Sequence, residues 1–115
     1  MARGDVLRID FPTSQKPGTE QSGSRPAIVV DADIAGNNLS TLMVVPLTSQ
    51  LKAQRFTYTF LVDPSTGNGL TTQSVVLCSQ LRAIDRSRIL QVIGKLEQHY
   101  MDRLTLEMKR MLGIP

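Results

Sequence analysis

The first segment whose residues could do chemistry lies around residue 25, at the end of a polar stretch. Residues 12–24 are mainly Pro, Thr, Ser, Gln, Gly, Lys and Glu, a composition typical of a flexible connection. Pro26 favours an extended backbone at Arg25, which would fix the guanidinium group where the next strand begins. A fixed arginine is suited to phosphate because it keeps its charge and offers a planar fork of donors. A structural ion pair of Arg25 with Glu20 or Asp10 explains the same residue equally well.

A second polar group follows an apolar, strand-like run. Thr48, Ser49 and Gln50 come directly after it, so a strand that ends there would present hydroxyl and amide groups at its tip. Thr48 could hydrogen-bond a phosphate oxygen or a ribose hydroxyl, or it could close a turn on its own backbone. Lys52 and Arg55 come next, and they could follow a nucleic-acid backbone or merely keep a loop solvated.

The third segment, residues 79–85, alternates polar and apolar side chains. If it is a strand, Gln80 and Arg82 share one face and could line a groove while the other face packs. Amide and guanidinium groups suit contacts with unpaired base edges or with phosphates. A surface ion pair between Arg82 and Asp85 is an equally good explanation.

These segments need a framework, and the periodicity predicts one made mainly of short strands. Apolar patterns predict strands at residues 5–11, 26–31, 40–47, 56–62, 74–78, 80–84 and 91–96. Turn-rich sequence lies at residues 33–38 and 63–69. After Leu96, apolar residues recur at helical spacing, at Met101, Leu104, Met108 and Met111. The sequence therefore predicts one domain over residues 1–115, a small β-barrel with a C-terminal amphipathic helix that stops near Gly113.

Composition limits the class of protein. The 115 residues are 41% hydrophobic and 20% charged, which is typical of a soluble globular domain. No apolar run approaches the roughly 20 residues that a membrane span needs. The first residues lead directly into a strand pattern, so we expect a cytoplasmic protein. A formal net charge of +3 favours an anionic partner.

Other features of the sequence offer less chemistry. The single cysteine, Cys78, lies in an apolar run and is expected to be a buried, reduced thiol. His99 has no cysteines near it and falls opposite Met101 on the predicted helix, which disfavours a metal or catalytic role. Residues 31–36 begin like a calcium loop, but Ala35 stands where an oxygen ligand is needed. We therefore predict no metal site and no cofactor.

Considered together, the motifs resemble one family over nearly the whole chain. They are Arg3-Gly4-Asp5, Glu20-Gln21 through Arg25-Pro26, Val45-Pro46-Leu47-Thr48-Ser49 and Gln80-Leu81-Arg82-Ala83-Ile84-Asp85. Their order and spacing, together with the terminal helix, are similar to the MazF/PemK toxin family. The resemblance implies an SH3-like β-barrel, a homodimer and sequence-selective, metal-independent cleavage of single-stranded RNA. It also implies that the ribose 2′-OH is the nucleophile, so that the products carry a 2′,3′-cyclic phosphate and a 5′-hydroxyl.

The resemblance assigns catalytic roles to Arg25 and Thr48, with Glu20 close by in the loop. Arg25 would stabilise the phosphorane-like transition state, Thr48 would orient the phosphate or the 2′-OH, and Glu20 would accept the 2′-OH proton. One branch of the family instead uses an Arg, an Asp and a His where this chain has Leu77, Ser79 and Thr19, so that mechanism does not transfer.

The residues predicted to bind RNA are polar or basic, namely Gln21, Ser49, Gln50, Lys52, Arg55, Gln80 and Arg82. Aromatic residues make up only 4% of the chain, so we expect recognition to depend on polar contacts rather than on a stacking platform. The implied partner is a cognate antitoxin of the MazE/PemI type, whose disordered, acidic and apolar C-terminal segment would cover the groove.

Two alternatives stay open. A related toxin family of similar fold inhibits DNA gyrase without catalysis, but its members end in a tryptophan-containing tail, and this chain has no tryptophan. The other alternative is a barrel that binds RNA without cutting it. Such a protein would need Lys52, Arg55 and Arg82, while Arg25 and Thr48 would be dispensable.

Overall fold

The computed structural model describes residues 1–11, 23–31 and 40–115. Within these ranges the chain forms seven strands and one α-helix, in the order β1 Asp5–Phe11, β2 Gly23–Val29, β3 Thr41–Thr48, β4 Thr59–Val62, β5 Ser74–Leu77, β6 Arg82–Asp85, β7 Ile89–Lys95 and α1 Gln98–Leu112. Short 3₁₀ helices occur at Leu51–Arg55, Cys78–Gln80 and Arg86–Arg88. None of the helices in these ranges combines the length and apolarity that crossing a membrane requires.

The paired strands of the described sheet are all antiparallel. They follow the order β4-β5-β3-β2-β1-β7, and β6 adds to β3. Among the described strands, the end strands β4 and β7 do not pair with each other, so the sheet is open and resembles a barrel only loosely. The predicted mainly-β fold with a C-terminal helix is confirmed.

Strand β3 changes partners along its length, and this change creates the space for the candidate site. Its pairing with β2 ends where Ala27 lies opposite Pro46. The next residue of β2 toward this end, Pro26, has no N–H to donate to β3, so the ladder loses a hydrogen bond just beyond this pair. Leu47 and Thr48 pair with β5 instead. As a result, β2 and β3 diverge beyond the two prolines.

Apolar side chains cover both faces of the sheet because successive residues of a strand point to opposite sides. The first cluster lies between the sheet and α1, and includes Val6, Ile28, Val45, Val76, Met101 and Leu104. The second cluster uses the alternate positions of the same strands, and consists of Leu7, Ile9, Phe11, Ala27, Val29, Leu42, Val44 and Ile84. Full burial of such a side chain contributes about 1.5–3 kcal/mol, so both clusters stabilise the sheet.

Helix α1 packs on the sheet through the predicted apolar side, with Met101 and Leu104 buried. Gly113 ends the helix in a left-handed conformation, at φ 69°, as the sequence predicted. Glu107 is also buried, and its carboxylate accepts hydrogen bonds from Arg103 at 2.8 Å and Arg110 at 3.5 Å.

Some predicted strand boundaries are wrong. Gly23 and Ser24, which were predicted as loop, belong to β2 because they pair with β1. The strand predicted at residues 56–62 begins only at Thr59, since Tyr58 just before it has a positive φ of 61°. Strand β7 begins at Ile89, before the predicted residue 91.

The prediction that Gln80 and Arg82 share a strand face is also wrong. Gln80 belongs to the 3₁₀ helix Cys78–Gln80, and β6 begins only at Arg82. The predicted turn at residues 33–38 and most of the predicted loop at residues 12–24 lie outside the described residues.

Candidate active site

A groove of about 450 Å³ opens where β2 and β3 diverge. Its polar and charged lining consists of Arg8, Ser24, Arg25, Thr48, Ser49, Gln50, Lys52, Arg55, Thr71, Thr72, Ser74 and Gln80. The predicted site residues in this lining are Arg25, Thr48, Ser49, Gln50, Lys52, Arg55 and Gln80. Of the remaining three, Glu20 and Gln21 lie outside the described residues, and Arg82 lies beside the groove without lining it.

Arg25 reaches from β2 toward β3 across the opening between the two strands. Its Nη2 donates a hydrogen bond to the carbonyl oxygen of Leu47 at 3.3 Å, and its guanidinium carbon lies 5.8 Å from the centre of the Phe11 ring. Of the two acids considered as structural partners, Asp10 pairs instead with Arg88 at 3.8 Å, and Glu20 is not described. Contacts with Leu47 of β3 and Phe11 of β1 hold the guanidinium group at the groove.

Thr48 is the last residue of β3 and lines the groove. Its Oγ1 accepts a hydrogen bond from the Gln50 N–H at 3.2 Å, so the turn-closing role considered from the sequence does occur. A threonine hydroxyl that accepts one bond still has its own hydrogen to donate. Thr48 can therefore close the turn and donate a hydrogen bond to a ligand in the groove.

The groove is lined by several cationic side chains. Lys52 and Arg55 project from the 3₁₀ helix Leu51–Arg55, and Arg25 projects from β2. Arg8, which sequence analysis missed, adds a fourth cation from β1 and contacts Ser24 Oγ at 3.4 Å. Among the described lining residues there is no carboxylate and no imidazole. Four cations around one groove favour a polyanionic ligand.

One wall of the groove is made of uncharged polar groups. Gln80 was predicted, whereas Thr71, Thr72 and Ser74 were not. Sequence analysis missed these three residues because their place at the groove depends on the pairing of β5 with β3. The one local sign of them is that they form a polar run leading into β5. Hydroxyl and amide groups can donate and accept hydrogen bonds, so this wall is suited to base edges or sugar hydroxyls.

Arg82 lies beside the same Phe11 ring as Arg25, with its guanidinium carbon 5.3 Å from the ring centre. The alternative considered for Arg82 was an ion pair with Asp85. The Asp85 carboxylate instead accepts a hydrogen bond from the Ser87 N–H at 2.8 Å, and this bond lowers the pKa of Asp85. Arg82 is thus associated with the groove side of the sheet rather than with the turn after β6.

The remaining candidate residues take structural positions. His99 is exposed on α1 and packs against Tyr100, with 4.0 Å between ring centres. In the described ranges, no three residues among His, Cys, Asp and Glu come together as a metal site would require. Cys78 is fully buried, and desolvation raises the pKa of its thiol to about 12. Arg3 links the sheet to the helix by donating to the Val30 carbonyl and to Thr105 Oγ1.

The geometry defines what this groove can do. Its guanidinium, ammonium and hydroxyl groups can bind a phosphate chain and stabilise negative charge that develops on it. A proton acceptor for a reacting hydroxyl is absent from the described lining residues. The predicted acceptor, Glu20, stays a prediction.

Comparison with known proteins identifies relatives over most of this sequence. The family model described as PemK-like, MazF-like toxin of type II toxin–antitoxin systems matches residues 2–112. Endoribonuclease EndoA of Bacillus subtilis is 32% identical over 102 residues, covering 89% of this chain and 85% of the relative. Endoribonuclease MazF of Staphylococcus saprophyticus is 26% identical over 114 residues, covering 99% of this chain and 92% of the relative.

Solved structures share the fold at lower identity. MazF from Deinococcus radiodurans is similar with a TM-score of 0.76 at 22% identity, covering 99% of this chain and 97% of that one. A MazE–MazF structure from the same organism is similar with a TM-score of 0.73 at 22% identity, covering 100% and 98% of the two chains.

Proposed function

The chain belongs to the family of PemK-like, MazF-like toxins of type II toxin–antitoxin systems, and from this premise we propose that it is an endoribonuclease whose active site is the groove between β2 and β3. The observation that carries the proposal is the composition of that groove. Four cations, a strand-end threonine and a wall of hydroxyl and amide groups surround it, with no carboxylate among the described lining residues. This arrangement suits single-stranded RNA, since both the phosphates and the unpaired bases can find partners.

In the proposed reaction, the ribose 2′-OH attacks the adjacent phosphorus and the bond from phosphorus to the 5′ oxygen breaks. The departing 5′ oxygen takes up a proton from solvent, so the products are a 2′,3′-cyclic phosphate and a 5′-hydroxyl. Arg25 stabilises the negative charge that builds on the phosphate oxygens, because its fork of donors is already fixed between strands. Thr48 orients the phosphate or the 2′-OH through its hydroxyl hydrogen. Glu20 accepts the 2′-OH proton, since an arginine is too basic to do so at neutral pH.

The proposed RNA contacts divide by chemistry. Lys52, Arg55 and Arg8 bind phosphates along the groove and carry little sequence information. Ser49, Gln50 and Gln80 hydrogen-bond base edges or sugar hydroxyls, and Gln21 is assigned to the same group from its sequence alone. No metal or cofactor enters this mechanism.

We further propose that the protein acts as a homodimer in the cytoplasm and is inhibited by a cognate antitoxin. Strand β7 supports the dimer because it is an end strand of the described sheet and exposes Leu90 and Val92, which are 57% and 53% accessible. An exposed apolar edge strand is prone to pair with another chain. The cationic groove supports a partner segment rich in acidic residues.

The test is cleavage of a long single-stranded RNA in EDTA, with mapping of the new 5′ ends. The wild type should cut at a short recurring sequence and leave 5′-hydroxyl ends. Arg25→Ala should lower the rate by about 10²–10³-fold, and Thr48→Ala by about tenfold or more. Arg88→Ala is the matched control, since Arg88 pairs with Asp10 outside the groove and should not affect the rate. Intact RNA in the wild-type reaction would refute the nuclease and favour inhibition by binding, to gyrase or to RNA.

A further inference from the structure

Phe11 contacts two arginines, Arg25 and Arg82, and has no role in the proposed reaction. It is the last residue of β1, it is only 3% exposed, and it pairs with Gly23 at the start of β2. The guanidinium carbon of Arg25 lies 5.8 Å from its ring centre, and that of Arg82 lies 5.3 Å away. Two cations from different strands therefore share one aromatic ring.

Strand alternation places these three residues on one face of the sheet, and both arginine side chains reach the Phe11 ring. Phe11 continues the buried positions Leu7 and Ile9 of β1, and Arg25 occupies the corresponding position two residues before Ala27 on β2. Arg82 stands two residues before the buried Ile84 on β6. The apolar cluster on this face thus ends in a phenyl ring flanked by two arginines, next to the groove.

The ring has a physical effect on both arginines. The face of an aromatic ring attracts a guanidinium group, and the attraction is stronger where water is excluded. An arginine side chain has several torsions to fix, so a rigid, buried ring limits the positions that each guanidinium can take. The ring also provides a favourable contact for two like charges that would otherwise repel each other.

We propose that Phe11 is a positioning residue that holds Arg25 and Arg82 at the mouth of the groove for the same RNA phosphate chain. This inference rests on the proposed function, because it takes Arg25 as the residue that stabilises the transition state. It also connects Arg82, which does not line the groove, to the reaction. An error of about 1 Å in the position of a reacting group can cost 10²-fold in rate, so loss of the ring should lower kcat.

The test compares Phe11→Leu with a matched control, Phe60→Leu. Phe60 is similarly buried, at 6% exposure, and has Arg103 at 5.5 Å from its ring centre, but it lies outside the groove. Phe11→Leu should lower kcat about tenfold or more with KM changed about threefold or less, whereas Phe60→Leu should leave kcat unchanged. Phe11→Tyr keeps the aromatic face and should restore most of the rate.

Melting temperatures separate positioning from folding. Both leucine variants lose a similar amount of packing, so their melting temperatures should fall by similar amounts, within about 5 °C of each other. The proposal is overturned if Phe11→Leu loses no more kcat than Phe60→Leu. It is equally overturned if Phe11→Tyr is as slow as Phe11→Leu while both remain folded.

A second measurement does not depend on cleavage. In nitrogen-15 NMR spectra of the free protein, the Nε–Hε signals of Arg25 and Arg82 should carry ring-current shifts from Phe11. Phe11→Leu should move both signals, and Phe60→Leu should move that of Arg103 instead. Unshifted signals in Phe11→Leu would refute the shared ring even if the wild type cuts RNA. Failure of the wild type to cut would refute the proposed function and leave this spectroscopic result to decide the role of Phe11.

Discussion

Polar side chains have different roles in the groove and in the segment that precedes Thr71: in the groove they line an open space, and in the segment they bond to the protein itself. Residues 63–70, here called the junction, contain Asn68, which is fully buried. Its amide nitrogen donates to the Asp63 carbonyl and to the Glu97 carboxylate, both at 3.0 Å. Its amide oxygen accepts from the N–H groups of Ser65 and Leu70, at 3.1 and 3.0 Å. The protein thus supplies a partner for each donor and acceptor of this amide.

Thr71 and Thr72, which follow the junction in the chain, line the groove, and the groove presents hydroxyl and amide groups as the junction does. Thr71, Thr72 and Gln80 border an open space rather than a ring of protein partners. A buried amide that the protein satisfies completely fixes one conformation of the chain. A hydroxyl or amide at a groove retains hydrogen bonds that it can offer to a ligand. Substitutions in the junction should therefore lower stability, and substitutions in the groove should lower activity.

The largest effect is expected for Gly69→Ala in the junction. Gly69 has a φ of 73°, and an added Cβ would overlap the carbonyl oxygen of Ile93 in β7. The backbone must move to accept it, so the free energy of unfolding should fall by about 3 kcal/mol or more. Urea denaturation of the purified variant measures the loss.

Gly113→Ala is the matched control for that substitution. Gly113 has nearly the same backbone conformation, with φ 69°, but nothing lies within 4 Å of its added Cβ. Only the conformational cost should appear, about 1–2 kcal/mol. If the two variants lose equal stability, the close approach of the junction to β7 is not what makes Gly69 necessary.

The next effect in size is expected for Asn68→Ala. The change leaves the N–H groups of the half-buried Ser65 and the buried Leu70 without their acceptor, so the free energy of unfolding should fall by about 2–3 kcal/mol. Thr48→Val, which replaces a groove hydroxyl with a methyl group, removes one exposed acceptor and should cost less than about 0.5 kcal/mol while cleavage falls. Equal losses of stability in the two variants would contradict the division between junction and groove.

A feature of the fold was predictable from the sequence where neighbouring residues determine it, and was not where it depends on contacts between distant segments. Strand β1 and the stop of α1 at Gly113 were predictable because alternation and helix capping are local properties. The partner change of β3 at Pro46 was not, because it depends on which strands lie beside it. Arg8 joins the groove only through the register that places it opposite Pro26.

Within the site, sequence order was a better guide than strand pattern. Thr48 and Gln80 line one groove although they are far apart in the chain, and the motif order anticipated this. Arg82 was assigned to RNA binding on a strand face shared with Gln80, and that shared face does not exist because Gln80 belongs to a 3₁₀ helix. Its position beside Phe11 depends on the pairing of β6 with β3, which no local pattern specifies.

After Gly69 and Asn68, the third expected effect on stability concerns Cys78, which shares a 3₁₀ helix with the groove residue Gln80 but is fully buried. The pKa of its thiol is raised from the ordinary value of 9.0 to about 12, mainly by burial and secondly by the Glu107 carboxylate, while Arg103 opposes the rise. The folded state therefore keeps the thiol protonated where the unfolded chain would lose the proton. The resulting stability is complete below pH 9 and is lost as the pH rises toward 12, by up to about 1.4 kcal/mol for each pH unit. Between pH 8 and pH 10 the wild type should lose about 1.4 kcal/mol more than Cys78→Ala in urea denaturation, and equal losses would mean that the thiol is open to water like the groove beside it.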